Sequence, residues 1–194
     1  MENTLLIDLE KGSSFVEALK FNVTSLQELH ALGEAIKEKG KPYNRIAIDT
    51  VTKLEEWCEE AGTNLYKRTP IGRNFTGKSV LELPNGAGYF WLRTAFEYWR
   101  DYLLTLADEV ILIGHLKDKL IEVQGKEVAA KDIDLTGKIR SITCAAADAI
   151  GYLYRKDGKI FVTFKSSDEI TCGSRCEHLK GQEFEFDWKK IYLN

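Results

Sequence analysis

The sequence lacks any apolar run of the length needed to cross a membrane. A membrane-spanning helix requires about 20 consecutive apolar residues, and every apolar run in this 194-residue chain is much shorter. The opening residues, Met-Glu-Asn-Thr, also lack the basic segment that begins a secretory signal. From both absences we expect a soluble, cytoplasmic protein.

The chain also lacks an excess of either charge and has little cysteine. Its 27 Lys and Arg residues face 30 Asp and Glu residues, which gives a net charge of −3. Composition therefore does not draw it to nucleic acid, and any such binding must come from a local patch. With four cysteines in a chain of ordinary core composition, we expect reduced thiols. Cys172, Cys176 and His178 could form half of a zinc site, but no second pair of ligands is nearby.

Three short aliphatic runs are present, and each ends in a polar or acidic residue. They are Leu-Leu-Ile-Asp-Leu-Glu over residues 5–10, Ile-Ala-Ile-Asp-Thr over residues 46–50 and Val-Ile-Leu-Ile-Gly-His over residues 110–115. Continuous aliphatic runs are typical of strands that are buried on both faces of a parallel sheet. We therefore predict neighbouring parallel strands over residues 5–9, 46–49 and 110–113.

Amphipathic segments separate these runs and predict helices. Ser25 and Glu28 have the spacing of a capping box, so we expect a helix that ends at about Lys39. A second helix is predicted from residue 52 to about residue 65, with a row of glutamates facing solvent: Glu55, Glu56, Glu59 and Glu60. A third helix is predicted over residues 90–106.

The remaining segments are rich in turn residues. Residues 66–89 contain several Gly and Pro and predict a long loop, and residues 118–138 predict a second excursion, which a β-hairpin would also fit. The Asp157-Gly158 pair predicts a C-terminal hairpin between strands at 149–155 and 160–165. The alternation of strands and helices predicts an α/β fold with a mainly parallel central sheet, and we expect a single domain over residues 1–194.

The polar residues at the strand ends are the candidates for chemistry. Ligands bind at the carboxyl ends of parallel strands, so Glu10, Asp49 and His115 are expected to meet at one edge. Asp49 could hold Mg²⁺ beside a nucleotide phosphate, with Thr50 as its hydrogen-bonding neighbour; the alternative is a helix-capping aspartate. Glu10 could activate a water molecule or could be a solvent-facing turn residue. His115 could bind a phosphate oxygen or could be an ordinary interior histidine.

One apparent phosphate-binding motif does not have the right context. Residues 72–79, Gly-Arg-Asn-Phe-Thr-Gly-Lys-Ser, match G-x-x-x-x-G-K-[ST]. This motif binds phosphate when a buried strand enters the loop and a helix leaves it, and the flanking sequences here fit neither element. We interpret the match as a coincidence.

The same region favours contact with single-stranded DNA. It contains four cations and two aromatic residues before the next acid: Tyr66, Lys67, Arg68, Arg73, Phe75 and Lys78. Cations neutralise phosphates and aromatic rings stack on bases. The alternative is a solvated loop, and in the excursion at 118–138 the cations are nearly matched by acids.

Taken together, these residues resemble the phage-encoded RecA-like ATPases of the AAA nucleotide-binding class, which are linked to single-strand annealing and recombination. The resemblance runs from about residue 5 to residue 176. It is carried by Leu-Ile-Asp-Leu-Glu at 6–10, Ile-Ala-Ile-Asp-Thr at 46–50, Pro-Asn-Gly-Ala-Gly-Tyr at 84–89, Ile-Gly-His-Leu-Lys-Asp-Lys at 113–119 and Asp-Ile-Asp-Leu-Thr-Gly-Lys at 132–138.

The resemblance implies a RecA-like P-loop NTPase core that uses ATP and Mg²⁺. By this likeness Glu10 matches the water-activating glutamate, Asp49 the Mg²⁺-binding Walker B aspartate and His115 the polar sensor residue. Thr50, Lys117 and Lys119 fall in the matching segments and are further nucleotide-binding candidates. The two long loops match the regions that contact DNA in RecA-like proteins. A homo-oligomer in the cytoplasm of a bacterial host is the corresponding expectation for a phage protein.

The sequence departs from this family at its start. Members open with a strand, a phosphate-binding loop and a helix, and the resemblance implies that these parts would lie ahead of Met1. Without that loop, ATP binding by the chain is expected to be weak or absent, and its ATPase activity is an open question. We carry two interpretations: a RecA-like ATPase domain of phage DNA recombination or annealing that is defective for nucleotide, and a non-catalytic module that binds single-stranded DNA or serves assembly. An enzyme that uses residues 72–79 is a third, lesser alternative.

Overall fold

The computed structural model describes residues 3–123 and 126–193, which pack into two compact units. The first unit comprises the residues up to His115 together with Leu135–Ile139, and the second comprises Leu116–Asp134 together with the residues from Arg140 onward. The expectation of a single domain is not decided by this division and stays a prediction.

The first unit alternates strands with helices. Its elements are β1 (Thr4–Asp8), β2 (Lys20–Asn22), α1 (Leu26–Glu38), β3 (Arg45–Asp49), α2 (Val51–Lys67), α3 (Gly88–Leu104) and β4 (Glu109–Ile113). The three predicted strands and three predicted helices are all present, with ends within a few residues of those expected. The α/β class is therefore confirmed for this unit.

The strands of the first unit form one parallel sheet in the order β2-β1-β3-β4. Asp8 of β1 lies opposite Asp49 of β3, and Asp49 lies opposite Ile113 of β4. The prediction of three neighbouring parallel strands is confirmed. Strand β2 was not expected, because three residues with exposed side chains carry no hydrophobic pattern.

Helices α1 and α2 each begin after a hydroxyl residue. The Ser25 hydroxyl accepts a hydrogen bond from the backbone N–H of Glu28, as the capping box predicts. The Glu28 carboxylate, however, binds the backbone N–H of Thr24 and not that of Ser25. In α2 the cap is Thr50, whose hydroxyl accepts from the backbone N–H of Lys53. Asp49 is therefore not the capping residue, which removes the structural alternative for its carboxylate.

One glutamate of α2 departs from the predicted solvent-facing row. Glu55 is buried, and both of its carboxylate oxygens accept from the backbone N–H of Thr136, at 3.0 and 3.1 Å. A buried carboxylate needs such a donor, because an unpaired buried charge is costly. The partner lies 81 residues away in the sequence, so helical spacing alone could not reveal it.

The segment between α2 and α3 is packed, and the prediction of a long loop in place of a packed element is wrong. It contains three short 3₁₀ turns, Gly72–Asn74, Val80–Glu82 and Pro84–Gly86. Val80 is fully buried, and its backbone N–H donates to the Thr63 hydroxyl at 2.8 Å. A Cβ at Gly88 would lie 1.9 Å from the Val80 carbonyl oxygen, so the close approach of α3 requires glycine there.

The second unit is built mainly from antiparallel strands. Its elements are β5 (Leu116–Val123), β6 (Lys126–Ile133), α4 (Gly137–Ala146, which begins in the first unit), β7 (Ala149–Ile150), β8 (Tyr152–Lys156), β9 (Lys159–Thr163), β10 (Gly173–Ser174), β11 (Glu183–Glu185) and α5 (Trp188–Ile191). They form three sheets, β5-β6, β7-β10 and β11-β9-β8.

Both hairpins suggested by the sequence are present in this unit. Strands β5 and β6 pair over eight residues each, and β8 and β9 pair up to Lys156 opposite Lys159. Asp157 and Gly158 both have positive φ, at 50° and 77°, as a type I′ turn requires. The C-terminal hairpin is therefore confirmed. Within the described residues, no helix has the length and apolar character that crossing a membrane would require.

Candidate functional site

Glu10 and His115 meet at the carboxyl edge of the parallel sheet. The His115 Nε2 atom lies 3.1 and 3.0 Å from the two carboxylate oxygens of Glu10. The Thr50 hydroxyl donates to the same carboxylate at 2.8 Å. Residues 10, 50 and 115 follow β1, β3 and β4 directly, so the convergence predicted from the strand ends is confirmed.

Two backbone contacts hold these strand ends together. The N–H of Leu9 donates to the Asp49 carbonyl at 2.7 Å, which fixes the end of β1 to that of β3. The N–H of His115 donates to the Thr52 hydroxyl at 3.1 Å, which fixes the end of β4 to the first turn of α2. Sequence reasoning missed Thr52; the available signal was a second hydroxyl residue in the helix turn that follows the Asp49 strand.

A buried aspartate, Asp8, holds the turn after β1 that carries Glu10. Asp8 is fully buried, and its carboxylate accepts from the N–H groups of Glu10 and Ser13 and from the Ser13 hydroxyl. Burial alone raises the pKa of Asp8, but these hydrogen bonds together lower it below its ordinary value. Asp8 thus stays ionised and shapes the turn.

Opposing effects act on Glu10 itself. Partial burial, the largest single influence, raises the pKa of this carboxyl, whereas the hydrogen bonds from Thr50 and His115 lower it. The net result is a pKa below the ordinary value. Glu10 is therefore an ionised carboxylate that is held by two partners.

Asp49 differs from both neighbouring acids. Among the described residues, no side chain or backbone group makes a hydrogen bond or ion pair with its carboxylate. Desolvation, followed by the negative charges of Asp8 and Glu10, raises the pKa of Asp49. His115 acts in the opposite direction and lowers the pKa of Asp49, but the net shift is upward. A cation placed beside these three carboxylates would relieve their repulsion.

The donor set agrees with a magnesium ion that is shared with a ligand. Within the described ranges, no cluster of three or more His, Cys, Asp or Glu residues could hold a metal by itself. Mg²⁺ does not need one, because it keeps several waters and takes one or two carboxylates together with phosphate oxygens. Asp49 has the chemistry and the position for that role.

The match to the phosphate-loop motif at residues 72–79 does not form such a loop. A 3₁₀ turn occupies Gly72–Asn74, and Ser79 caps the next 3₁₀ turn. The backbone N–H groups of Lys78 and Ser79 both donate to the Glu82 carboxylate at 3.1 Å. These amides already have a negatively charged partner, which agrees with the interpretation that the match is a coincidence.

A pocket of about 440 Å³ lies beside Glu10. Two of its lining residues, Lys11 and Lys53, carry positive charge, and Trp57 supplies an aromatic ring. Lys53 pairs with Glu56, so the two lysines of the lining are balanced by Glu10 and Glu56. The lining is Leu9, Glu10, Lys11, Thr24, Lys53, Glu56 and Trp57.

The two lysines suggested for nucleotide binding lie in the second unit. Lys117 and Lys119 are on β5, and their ammonium groups bind Asp134 at 3.0 Å and Asp132 at 2.8 Å. Asp132 is only 2% exposed and also pairs with Arg140 at 3.0 Å. These ion pairs stabilise the β5-β6 hairpin and its surroundings, a role that the sequence pattern did not indicate.

The candidate DNA-binding residues are placed unequally. Arg68, Arg73 and Lys78 are exposed, and Lys67 is half-buried near the end of α2. Phe75 is also half-buried: its ring packs edge-on against Tyr66, with 5.4 Å between centroids. The exposed cations are thus available to a phosphate backbone, whereas the Phe75 ring, the candidate for stacking on a base, already packs against Tyr66.

The four cysteines are free thiols. Cys172 donates to the Lys165 carbonyl, and burial raises its pKa. A ring nitrogen of His178 lies 2.9 Å from the Ile191 carbonyl oxygen. These contacts give both residues structural roles.

Comparison with known proteins gave one match. A protein-family model described as "AAA domain" (AAA_24) matches residues 1–176, which include the parallel sheet and every candidate site residue. No curated protein and no solved structure matches the chain.

Proposed function

This chain belongs to the AAA domain family, and from that membership we propose that the cluster of Glu10, Asp49 and His115 is the site of a nucleotide-binding, ATPase-type domain. Domains of the AAA family generally use ATP and Mg²⁺. The observation that supports the assignment is the Asp49 carboxylate, which has a raised pKa and no hydrogen-bonding partner among the described residues, at the sheet edge where ligands of parallel sheets bind.

Each residue of the cluster has a separate role in this proposal. Asp49 would hold Mg²⁺, directly or through water, and the metal supplies charge neutralisation at the transferred phosphoryl group. Glu10 would orient the attacking water and accept its proton, since its carboxylate is ionised. His115 would exchange its contact with Glu10 for a phosphate oxygen, which would release the Glu10 carboxylate toward the water.

We further propose that this activity serves DNA recombination or single-strand annealing, as a homo-oligomer of phage origin in a bacterial cytoplasm. The sequence resemblance described above supports this role, together with the exposed Arg68, Arg73 and Lys78. Sequence-independent contacts to phosphates would be made by these cations.

Thermal unfolding with and without Mg-ATP tests the nucleotide site even when affinity is low. For a dissociation constant of about 0.5 mM, Mg-ATP at about 5 mM would stabilise the folded state by about 1.4 kcal/mol. A chain of this size should then gain about 3–6 °C in its unfolding midpoint. Asp49→Asn should remove most of this shift, and Asp108→Asn, at an exposed position of the same unit, should keep it. No shift in the wild-type protein, or an equal shift in Asp49→Asn, would refute the assignment.

A non-catalytic module that binds single-stranded DNA is the second candidate. It is favoured by the hydrogen bonds that occupy the backbone amides of Lys78 and Ser79, because these two amides of the segment 72–79 are then not free to bind a triphosphate. Binding of single-stranded DNA, with no Mg-ATP shift in any variant, is the result that selects this candidate.

A further inference from the structure

Three aromatic rings form a row on one face of the three-stranded sheet of the second unit. The rings of Tyr152 and Tyr154 on β8 are nearly parallel, with centroids 5.7 Å apart and an interplanar angle of 13°. Phe161 on β9 continues the row, 5.9 Å from Tyr154 at 25°. The three share a face because Tyr154 lies opposite Phe161, and Tyr152 is two residues before Tyr154.

The row is not needed to close the core of this unit. That core uses the other face of β9, where Val162 and Phe164 are buried together with Leu179. Phe161 alternates with these residues and points the opposite way. All three ring residues of the row keep partial exposure to solvent. Aromatic side chains that are ordered against one another yet accessible are typical of binding surfaces.

Positive charge borders the row. The hairpin segment 152–165 contains four cations and one acid: Arg155, Lys156, Lys159 and Lys165 against Asp157. The glutamates of β11 lie on the same face, and both have partners: Glu183 accepts a hydrogen bond from the Tyr154 hydroxyl and pairs with Lys165 at 3.7 Å, and Glu185 pairs with Lys159 at 2.6 Å. By strand alternation Lys156 shares the face of Tyr152 and Tyr154, whereas Arg155 lies on the opposite face. Lys156 is exposed, and the described part of the chain offers it no ion pair.

We propose that the row of Tyr152, Tyr154 and Phe161 is a stacking surface for single-stranded nucleic acid. Every base has a π face, so a row of rings accepts successive bases without sequence preference, while adjacent cations bind the phosphates. A duplex keeps its bases stacked on each other and cannot use such a row. A neutral oligosaccharide would gain nothing from Lys156, and an apolar protein partner would leave its charge uncompensated.

The surface lies wholly in the second unit, and its chemistry does not depend on the nucleotide site. Binding should therefore be seen without ATP and should be unchanged in Asp49→Asn. If nucleotide binding fails while nucleic-acid binding persists, the proposed ATPase function is wrong and the stacking surface stands.

Fluorescence anisotropy with a labelled oligothymidylate of about 20 nucleotides tests this proposal at low salt. Tyr154→Leu keeps an apolar side chain and removes the ring face, and it should weaken binding about 5- to 150-fold. Tyr154→Phe keeps the ring and should bind within about twofold of wild type. Tyr98→Ala, at an exposed tyrosine of the first unit, is the matched control and should leave affinity unchanged.

Charge substitution gives an independent readout on the same full-length chain. Lys156→Gln should lower the slope of log affinity against log salt by about 0.7 if this lysine neutralises one phosphate, and the ring substitutions should not change the slope. Circular dichroism and the unfolding midpoint will identify a variant that fails to fold, in which case Phe161→Leu takes the place of Tyr154→Leu.

Four results would overturn the proposal. The first is the absence of wild-type binding at about 50 µM protein in low salt, and the second is equal affinity in Tyr154→Leu and wild type. The third is equal affinity for a duplex of the same length. The fourth is a loss of binding that occurs only in Arg68→Ala and Arg73→Ala. A change in oligomeric state on Tyr154→Leu, with unchanged oligonucleotide affinity, would assign the row to protein contact. An oligouridylate run in parallel distinguishes DNA from RNA as the strand that is preferred.

Discussion

Three carboxylates, those of Asp8, Glu10 and Asp49, lie at one edge of the parallel sheet, and each has different surroundings. Asp8 is buried and fully hydrogen-bonded, Glu10 is held by a hydroxyl and an imidazole, and Asp49 has no hydrogen-bonding partner among the described residues. Their surroundings stabilise the ionised forms of the first two carboxylates, whereas burial and neighbouring negative charges destabilise the ionised form of Asp49. Destabilised groups of this kind are common at sites where a protein binds a ligand.

Removing the charge of Asp49 should stabilise the folded protein. A carboxyl whose pKa is raised on folding loses stability as pH rises from its ordinary value of 3.8 through the folded value. At neutral pH, Asp49→Asn should therefore raise the free energy of unfolding by up to about 1 kcal/mol. Urea unfolding at neutral pH and below pH 3.8 measures this, and the gain should vanish at the lower pH. Asp108→Asn is the control, and a destabilised Asp49→Asn at neutral pH would contradict the account.

Glu10 should show the opposite pH dependence. Its pKa is lowered on folding, so its contribution is present above the ordinary value of 4.5 and is lost as pH falls through the folded value. Glu10→Gln should cost about 1 kcal/mol of unfolding free energy at neutral pH, because hydrogen bonds to a charged acceptor become neutral ones. The difference from wild type should shrink in acid. A difference that is independent of pH would show that the loss comes from packing alone.

Elements with a strong hydrophobic period could be predicted from the sequence, and elements without one could not. The aliphatic runs predicted the strands, and the apolar stripes predicted α1 to α3. From the ends of the strands, the sequence also predicted that Glu10 lies near His115. The packed turns between α2 and α3 were missed, because their density of Gly and Pro is also that of a loop. The structure of these turns depends on contacts that no local sequence pattern shows, such as the hydrogen bond between the Thr63 hydroxyl and the backbone N–H of Val80.

The Thr63 hydroxyl is the group on which this packed segment depends most. It is buried, accepts from Val80 N–H and donates to the Glu59 carbonyl, both at 2.8 Å. Thr63→Val keeps the shape but leaves the N–H unsatisfied, which should cost about 1–3 kcal/mol. Thr63→Ser retains the hydroxyl and should cost clearly less. Chemical denaturation compares the two, and equal losses would mean that the hydroxyl has no special role.

At the scale of the whole molecule, the position of β4 in the sheet explains its half-exposed side chains. Val110, Ile111 and Leu112 are only partly covered, whereas the matching residues of β3 are buried. Strand β4 has one neighbour among the described strands, and β3 has two. The short strands of the second unit carry little periodicity, so its sheets could not be derived from the sequence.

DNA binding by the exposed cations near α2 is a separate proposal, which is tested on the whole chain. Arg68→Ala or Arg73→Ala should weaken binding for all sequences and lower the salt slope by about 0.7 for each phosphate that the variant no longer neutralises. Phe75→Ala should reduce affinity by about 1–3 kcal/mol with an unchanged slope if its free face stacks on a base. Because Phe75 also packs on Tyr66, its variant needs a parallel stability measurement. Unchanged binding in both arginine variants would make the segment a solvated surface.

The most direct test of the central claim is a paramagnetic one. Mn²⁺ replaces Mg²⁺ in the complex with ATP, and amide NMR signals close to the metal then broaden even when binding is weak. We expect broadening centred on Glu10, Asp49 and His115, and its loss in Asp49→Asn but not in Asp108→Asn. Broadening centred on residues 72–79, or on the exposed glutamates of α2 in wild type and Asp49→Asn alike, would contradict a nucleotide-metal site at the carboxyl edge of this sheet.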